Sequence, residues 1–310
     1  MTSVTGGVIS TGNMARQLEA GINAITNTDY KDYVPEWTKI LDLKRSTKNY
    51  ETDVPQAALG MAKVKPEGAG LEYDGTQEGA AKLYYNVVYA LGAIITWEAI
   101  EDNQYMDQMA FIGRALKRSL THTEEQVAAN VFNNAYDNNF TSWDGVSLFN
   151  NSHKLIKGGT FSNMLPVAAD LSEAALEDAL IAVGDFRDDA GLLIDCRVES
   201  LHIPRQLQFI AERILGSPLQ NDTGNNAINA LRSTGMLPKG YHVNHRFIDP
   251  NNWFIRTNCE NGGKFFRRSE QRFETDNDFG TSDYRHKGMT RFAVGWTDSR
   301  AYFGSGNINV

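Results

Sequence analysis

The chain has 310 residues, 41% of them hydrophobic and 22% charged, with a formal net charge of −8. This size and composition support a packed core, in one elaborated domain or two modest ones, and exclude wholesale disorder, while the acidic balance argues against sequence-specific nucleic-acid binding. The longest apolar runs, such as residues 87–95, are too short to span a bilayer and no signal peptide is evident, so a soluble, unexported protein with no membrane contact is expected.

The N-terminal residues read as an arm. Gly6, Gly7 and Gly12 precede a short helical face at Met14, Leu18, Ile22 and Ile25, which a polar break at residues 26–29 ends. An aromatic cluster follows, Tyr30, Tyr33 and Trp37 around Pro35; too small for a core and too apolar for water, it is expected to pack elsewhere on the protein or on a neighbour. Residues 45–79 are polar and weakly extended, punctuated by prolines and glycines from Pro55 to Gly79. A long two-stranded excursion of this kind is marginal alone, and is expected to be held by partners or to stay mobile.

The Val/Ile/Tyr-rich run at residues 80–96 predicts a strand leading into a helix. Met106, Met109, Gly113, Leu116, Leu120, Val127, Val131 and Ala135 recur at three- or four-residue intervals. That seam predicts a helix over about residues 103–136, roughly 50 Å long, needing a long surface to lie on. A rod beside a glycine-punctuated hairpin, neither with an arrangement of catalytic side chains, points to a building block and not to an enzyme.

Residues 138–165 are rich in loop signals, including Trp143-Asp144-Gly145 and Gly158-Gly159. Ser172, followed by Glu173, Glu177 and Asp178, predicts a capped helix burying Ala175, Leu176, Ala179, Leu180 and Val183. Residues 192–203 predict a strand, and Pro204 opens a third helix with its face at Leu207, Ile210, Ala211, Ile214 and Leu215. Residues 216–229 read as an exposed loop, and strands are expected at 241–248, 253–257, 264–274 and 284–296, with an acidic loop at 275–283. There is no internal repeat, and the class is α+β.

The chemistry-bearing residues form no recognisable site. Cys196 and Cys259 are the only cysteines and make no zinc spacing, so neither a disulfide framework nor a structural zinc is indicated, and a reducing cytosol is expected. His242 and His245, three apart on a strand, point to opposite faces and cannot share a metal. His122 lies beside Glu124 and Glu125 without the HExxH order, and a solvated helix face is expected there. His153 reads as a loop histidine bonded to backbone. No phosphate loop, nucleophile elbow or EF-hand is present, and Glu274, Asp276, Asp278 and Asp283 read as solvated turn carboxylates. No cofactor and no metal is expected.

A set of strings in a fixed order carries a resemblance: residues 73–79 (YDGTQEG), 89–92 (YALG), 98–103 (EAIEDN), Asp144-Gly145-Val146 with Leu148-Phe149 and His153, and Gly158-Gly159-Thr160 with Ser162-Asn163. It continues through Ile203-Pro204, Ala211-Glu212-Arg213-Ile214-Leu215, Asp249-Pro250 with Trp253-Phe254, and Gly295-Trp296-Thr297-Asp298 with Tyr302-Phe303-Gly304. In these the chain resembles the major capsid proteins of tailed bacteriophages with the Hong Kong 97-type fold. The resemblance implies an N-terminal arm (1–44), an extended hairpin called the E-loop (45–91) and a peripheral domain with a long spine helix (92–165). It further implies an axial domain (166–263), a peripheral hairpin (264–296) and a C-terminal axial segment (297–310).

The function so implied is a non-enzymatic shell protein. Pentamers and hexamers of one chain would form an icosahedral head around double-stranded DNA held without sequence-specific binding, in the virion, after assembly in the host cytoplasm. A portal and a scaffolding protein are implied partners, with room for a decoration protein. No additional helical scaffolding segment precedes the arm, so a separate scaffold, or earlier removal of such a segment, is expected. The assembly contacts are assigned to Tyr30, Tyr33, Trp37, Lys63, Lys65, Tyr73, Asp74 and Asn277. Covalent cross-linking, for which Lys63 and Lys65 opposite Asn277 are positional candidates, is not expected. The alternatives are an encapsulin-like nanocompartment shell and, from another class, a soluble hydrolase using His153 with Asp144.

Overall fold

The computed structural model describes residues 8–9, 34–101, 108–220 and 228–305. In chain order these form β1 (Val8–Ile9), a 3-10 turn at Trp37–Lys39, β2 (Asp42–Arg45), β3 (Tyr50–Asp53), β4 (Gln56–Ala57), β5 (Gln77–Glu78), β6 (Lys82–Tyr85), β7 (Val87–Ile95), α1 (Trp97–Glu101) and α2 (Gln108–Asn133). There follow β8 (His153–Lys154), β9 (Thr160–Phe161), α3 (Glu173–Gly184), β10 (Val198–Pro204), α4 (Gln208–Gly216) and α5 (Ala230–Thr234). The last strands are β11 (Tyr241–Asn244), β12 (Phe254–Thr257), β13 (Gly263–Asn277), β14 (Tyr284–Trp296) and β15 (Tyr302–Gly304). The predicted helix face at Met14 to Ile25 lies outside the described residues.

Two sheets organise the chain, one in the order β1-β7-β14-β13-β2 and the other in the order β11-β10-β12-β15. The first is built on the long β13–β14 hairpin, registered from Gly263 opposite Trp296 to Asn277 opposite Tyr284, with irregularities between Arg267 and Arg272. Period-two alternation turns Gly288, Thr290 and Phe292 of β14 towards α2. Gly288 lets the helix approach closely, for a Cβ there would stand 3.0 Å from both Leu120 and Phe273 and push those side chains back.

The described helix α2 is 26 residues long, about 39 Å, and ends three residues earlier than the seam predicts. Met106 lies outside the described residues, Gly113 is exposed, and beyond Asn133 the chain turns with Ala135 N–H donating to the Phe132 carbonyl. Its buried stripe is Ile112, Leu116, Leu120, Glu124, Ala128 and Phe132, at strict four-residue spacing. Each such step overshoots a full turn by about 40°, so the stripe winds round the rod and follows a twisted sheet. An untwisted stripe placed Gly113 on it. Leu116 and Leu120 lie on both.

The second sheet packs with α3 and α4 around Trp253, Leu201, Ile203, Leu176, Ala179, Ala211 and Phe303. Ser172 caps α3 as its sequence predicts, its Oγ accepting from Ala175 N–H at 3.2 Å. Pro204 closes β10 instead of opening the helix: a 3-10 turn at Arg205–Leu207 intervenes, and α4 begins at Gln208. Cys196 and Cys259 are disulfide-bonded within this core, with Cα atoms 6.0 Å apart. Sequence spacing concealed the pair, because 63 residues separate two cysteines that the fold makes neighbours.

Candidate assembly surfaces

The polar excursion is a two-stranded hairpin, with β3 paired to β6 and β4 to β5. It is held neither by partners alone nor left loose, as its composition suggested, for it is fastened to its own chain at its base and midway out. At the base Asp53 Oδ2 accepts from Lys264 Nζ and from the Thr297 hydroxyl, each at 2.5 Å, and that hydroxyl also meets Tyr84 OH at 2.5 Å. Burial pushes the Tyr84 phenol well up, so it stays a neutral partner. Lys82 Nζ donates to the Thr141 carbonyl.

Midway out, beyond the β4–β5 pairing, Asp74 gathers three donors: Lys157 Nζ at 2.7 Å, Gly60 N–H at 2.7 Å and Gly75 N–H at 2.8 Å. These hold its carboxyl at about 2, the Lys157 hydrogen bond contributing most. Tyr73 beside it is 92% exposed. Lys63 pairs with Glu72 at 2.6 Å on the surface, and Lys65 is exposed. Among the described residues no hydrogen bond joins Lys63 or Lys65 to Asn277, which stands exposed at the far end of β13.

Of the arm aromatics, Tyr30 and Tyr33 lie outside the described residues. Trp37 is buried in its own subunit, stacked on Phe265 with ring centroids 4.2 Å apart. Phe265 stacks on Phe292 at 4.8 Å and Phe292 on Tyr89 at 4.7 Å, so Trp37 terminates an aromatic ladder running across β13, β14 and β7.

The helix face at Glu124 and Glu125, expected in water, is buried. Glu124 accepts from Arg267 at 2.8 Å, Thr290 at 3.1 Å and Gln271 at 3.2 Å, tying α2 to β13 and β14. Glu125 accepts from the backbone N–H groups of Glu36 at 3.0 Å and Trp37 at 3.4 Å, holding the 3-10 turn. Burial raises the Glu125 carboxyl and Arg246 opposes the rise. Adjacent glutamates thus fasten two different segments to one helix.

His153 is likewise no backbone-bonded loop residue. It is fully buried, with Nδ1 at 2.5 Å from Asp144 Oδ2 and Nε2 at 3.1 Å from Asn163 Oδ1. The Asn163 amide nitrogen donates to the carbonyls of Leu148, Ser299 and Tyr302, which fixes its oxygen as the acceptor facing the ring. Nε2 therefore donates, Nδ1 is covered by Asp144, and no ring nitrogen is left to serve as a base. His242 and His245 do diverge, but not by strand alternation, because β11 ends at Asn244 and His245 lies in the turn after it: His242 packs against His202 at 5.3 Å, and His245 Nδ1 meets Glu36 at 2.5 Å. Among the described residues no group of three or more His, Cys, Asp or Glu side chains could hold a metal ion, and no described helix is long and apolar enough to cross a membrane.

Two features were not anticipated. Phe279, between the last residues of β13 and the first of β14, is fully exposed. At the other end of β14 a cleft of about 410 Å³ opens between Tyr85, Val87, Phe140 and Trp296, with Lys82 at its side. An apolar residue inside a run of carboxylates was the available signal for the first, whereas the second is assembled from four separate segments.

A family model described as phage capsid protein matches residues 81–303. Solved structures are similar over nearly the whole chain. The capsid of a native GTA particle computed with C5 symmetry has a TM-score of 0.59 at 12% identity, covering 91% of this chain and 94% of that one. The capsid of Myoviridae phage XM1 has 0.56 at 11%, covering 96% and 98%. The asymmetric unit of the bacteriophage PhiM1 mature capsid has 0.57 at 12%, covering 92% and 91%. No curated protein matches in sequence.

Proposed function

This chain belongs to the phage capsid protein family, and we propose that its copies form the pentamers and hexamers of an icosahedral head that encloses double-stranded DNA. It is a major capsid protein with the Hong Kong 97-type fold, a structural protein whose copies assemble into the capsid of a virion. The observation that carries the reading is the family match over residues 81–303, extended by fold similarity to nearly the full length.

Within that head the hairpin at 45–91 and the arm at 1–44 make contacts between subunits, with Tyr30, Tyr33, Lys63, Lys65, Tyr73, Asp74 and Asn277 as contact residues, while Trp37 anchors the arm to its own subunit. Segment 92–165 with hairpin 264–296 forms the periphery, and 166–263 with 297–310 surrounds the symmetry axes. Heterologous contacts that close into rings let one chain tile a shell, each contact weak and many acting together. A scaffolding protein and a portal act as partners during assembly in the host cytoplasm, and a decoration protein can bind the finished shell. DNA is enclosed without base-specific contacts, and the subunit performs no catalysis. A hydrolase built on His153 and Asp144 gains no support, since both ring nitrogens are engaged by Asp144 and Asn163.

Negative-stain electron microscopy of the purified chain, alone and with a scaffolding protein, tests this. Closed uniform shells or capsomer rings are expected. Monomers persisting under both conditions would overturn it.

A further inference from the structure

The β13–β14 hairpin ends in a rigid turn. Asp278 N–H donates to the Asp283 carbonyl at 2.9 Å, Ser282 N–H to the Asp278 carbonyl at 2.7 Å, and Gly280 N–H to Asp278 Oδ1 at 3.1 Å. Ser282 sits in the left-handed region at φ 60°, which closes the turn. The turn presents Phe279, whose side chain is 103% exposed and touches no core. A large aromatic held out on a preorganised turn loses little conformational entropy on docking, the property of an interface anchor. Around it the charge is negative. Asp278 is paired with Arg285 and Glu274 with Lys287 and Arg272, but Asp276 and Asp283 form no ion pair among the described residues.

The cleft at the opposite end of β14 is complementary. Its rim exposes Tyr85 (61%), Val87 (49%), Phe140 (49%) and Leu83 (42%), an apolar mouth. Lys82 stands over the Trp296 ring at 5.8 Å and forms no ion pair among the described residues. Burial pushes its ammonium down and the charge of Asp144 opposes the fall, so a further carboxylate would add to that support. The Trp296 indole N–H is buried without an acceptor among the described residues.

The knob cannot reach its own socket. From Tyr284 to Val294 β14 runs ten residues, about 33 Å of paired strand, and a registered hairpin does not fold back on itself. Any contact between them is made in trans, between different surfaces of two copies, which is the head-to-tail arrangement that closes into rings. Resting on the capsid reading, we propose that Phe279 of one copy seats in the cleft formed by Tyr85, Val87, Phe140 and Trp296 of a neighbouring copy, with Asp276 and Asp283 beside Lys82. The acidic turn complements the single cation among the described residues of the cleft, Lys82, and the ring supplies the apolar anchor.

The test uses assembled particles of the full chain, with Phe279 replaced by the photoreactive p-benzoylphenylalanine in half of the subunits and heavy-isotope label in the rest. Irradiation is expected to join the turn to peptides containing residues 82–89 or 139–141 of a differently labelled subunit. Cross-links elsewhere, within one chain, or none at all in intact shells would overturn the contact while leaving the capsid reading in place. A wild-type chain that forms no oligomer would overturn both. In parallel, Phe279→Ala is expected to raise the concentration needed for assembly on the order of tenfold without shifting the melting temperature of the unassembled subunit, and Phe279→Tyr to restore assembly. Unchanged assembly of Phe279→Ala would also overturn it.

Discussion

Asp74 and Lys157 stand 83 residues apart in the sequence and meet at 2.7 Å, so the outer part of the hairpin is clasped to the body of the same subunit. The clasp is electrostatic and at the surface, and it is expected to open on charge removal. Asp74 titrates at about 2, below its ordinary 3.8. A depressed carboxyl contributes stability that is present above its unfolded pKa and lost as pH falls through the folded one, so the clasp holds at neutral pH and fails between about 4 and 2. A fluorophore at Val64, 94% exposed on the hairpin, reports it. Asp74→Asn at neutral pH should lower its anisotropy, and about 0.5 M salt should lower that of the wild type in the same direction. Equal anisotropy in variant and wild type would show that the outer part is held by something else.

Glu124 is the centre of a second relationship. One buried carboxylate accepts from Arg267, Gln271 and Thr290, so truncating it leaves Thr290 with only the Ser269 carbonyl, Gln271 with only Thr121 Oγ1 and the Arg267 guanidinium with only the exposed Glu270. Glu124→Ala is expected to cost about 3 kcal/mol in chemical denaturation of the unassembled subunit. Glu124→Gln should cost less, since an amide oxygen still accepts. A loss below about 1 kcal/mol for the alanine variant would mean that the network is solvated.

Trp37 was expected to serve packing between neighbours, but its stacking on Phe265 predicts an effect inside the subunit. Trp37→Ala should destabilise the isolated chain by about 3–5 kcal/mol, the range for deleting a buried aromatic. Thermal unfolding of the monomer separates the two roles. A monomer with wild-type stability that fails to assemble would restore the purely intersubunit role.

The elements with local causes were legible in the sequence. Ser172 announces α3 because its hydroxyl needs only Ala175 N–H, three residues on. β14 announces itself by alternation, and the hairpin by its glycines and prolines. What stayed hidden depends on partners distant in sequence. The burial of Glu124 requires Arg267, and that of His153 requires Asn163 held in turn by Ser299 and Tyr302. Periodicity counts apolar residues along a straight stripe, so it placed Gly113 on a seam that in fact winds with the sheet. Of the assembly surfaces, exposure of Tyr73 follows from a polar hairpin. The cleft beside Trp296 could not be foreseen, because β6, β7, β14 and the loop after α2 contribute to it.

Cys196 and Cys259 give the last prediction, and it runs against the expectation of free thiols. The bond closes a loop of 63 residues between the start of β10 and the segment after β12. In the chain-entropy account such a loop contributes about 4 kcal/mol by restricting the unfolded chain. Under non-reducing conditions the denatured subunit should therefore show no reactive thiol, and after reduction it should show both cysteines. Reduction, or the Cys196→Ser and Cys259→Ser double variant, should lower the melting temperature of the subunit to a common value. The sheet β11-β10-β12-β15 should remain folded, because Leu201, Ile203, Trp253 and Phe303 bury the same core with or without the bond. Two reactive thiols in the unreduced chain would mean that the cysteines pack as neighbours without bonding. A melting temperature insensitive to reduction would show that the loop is already restrained in the unfolded state.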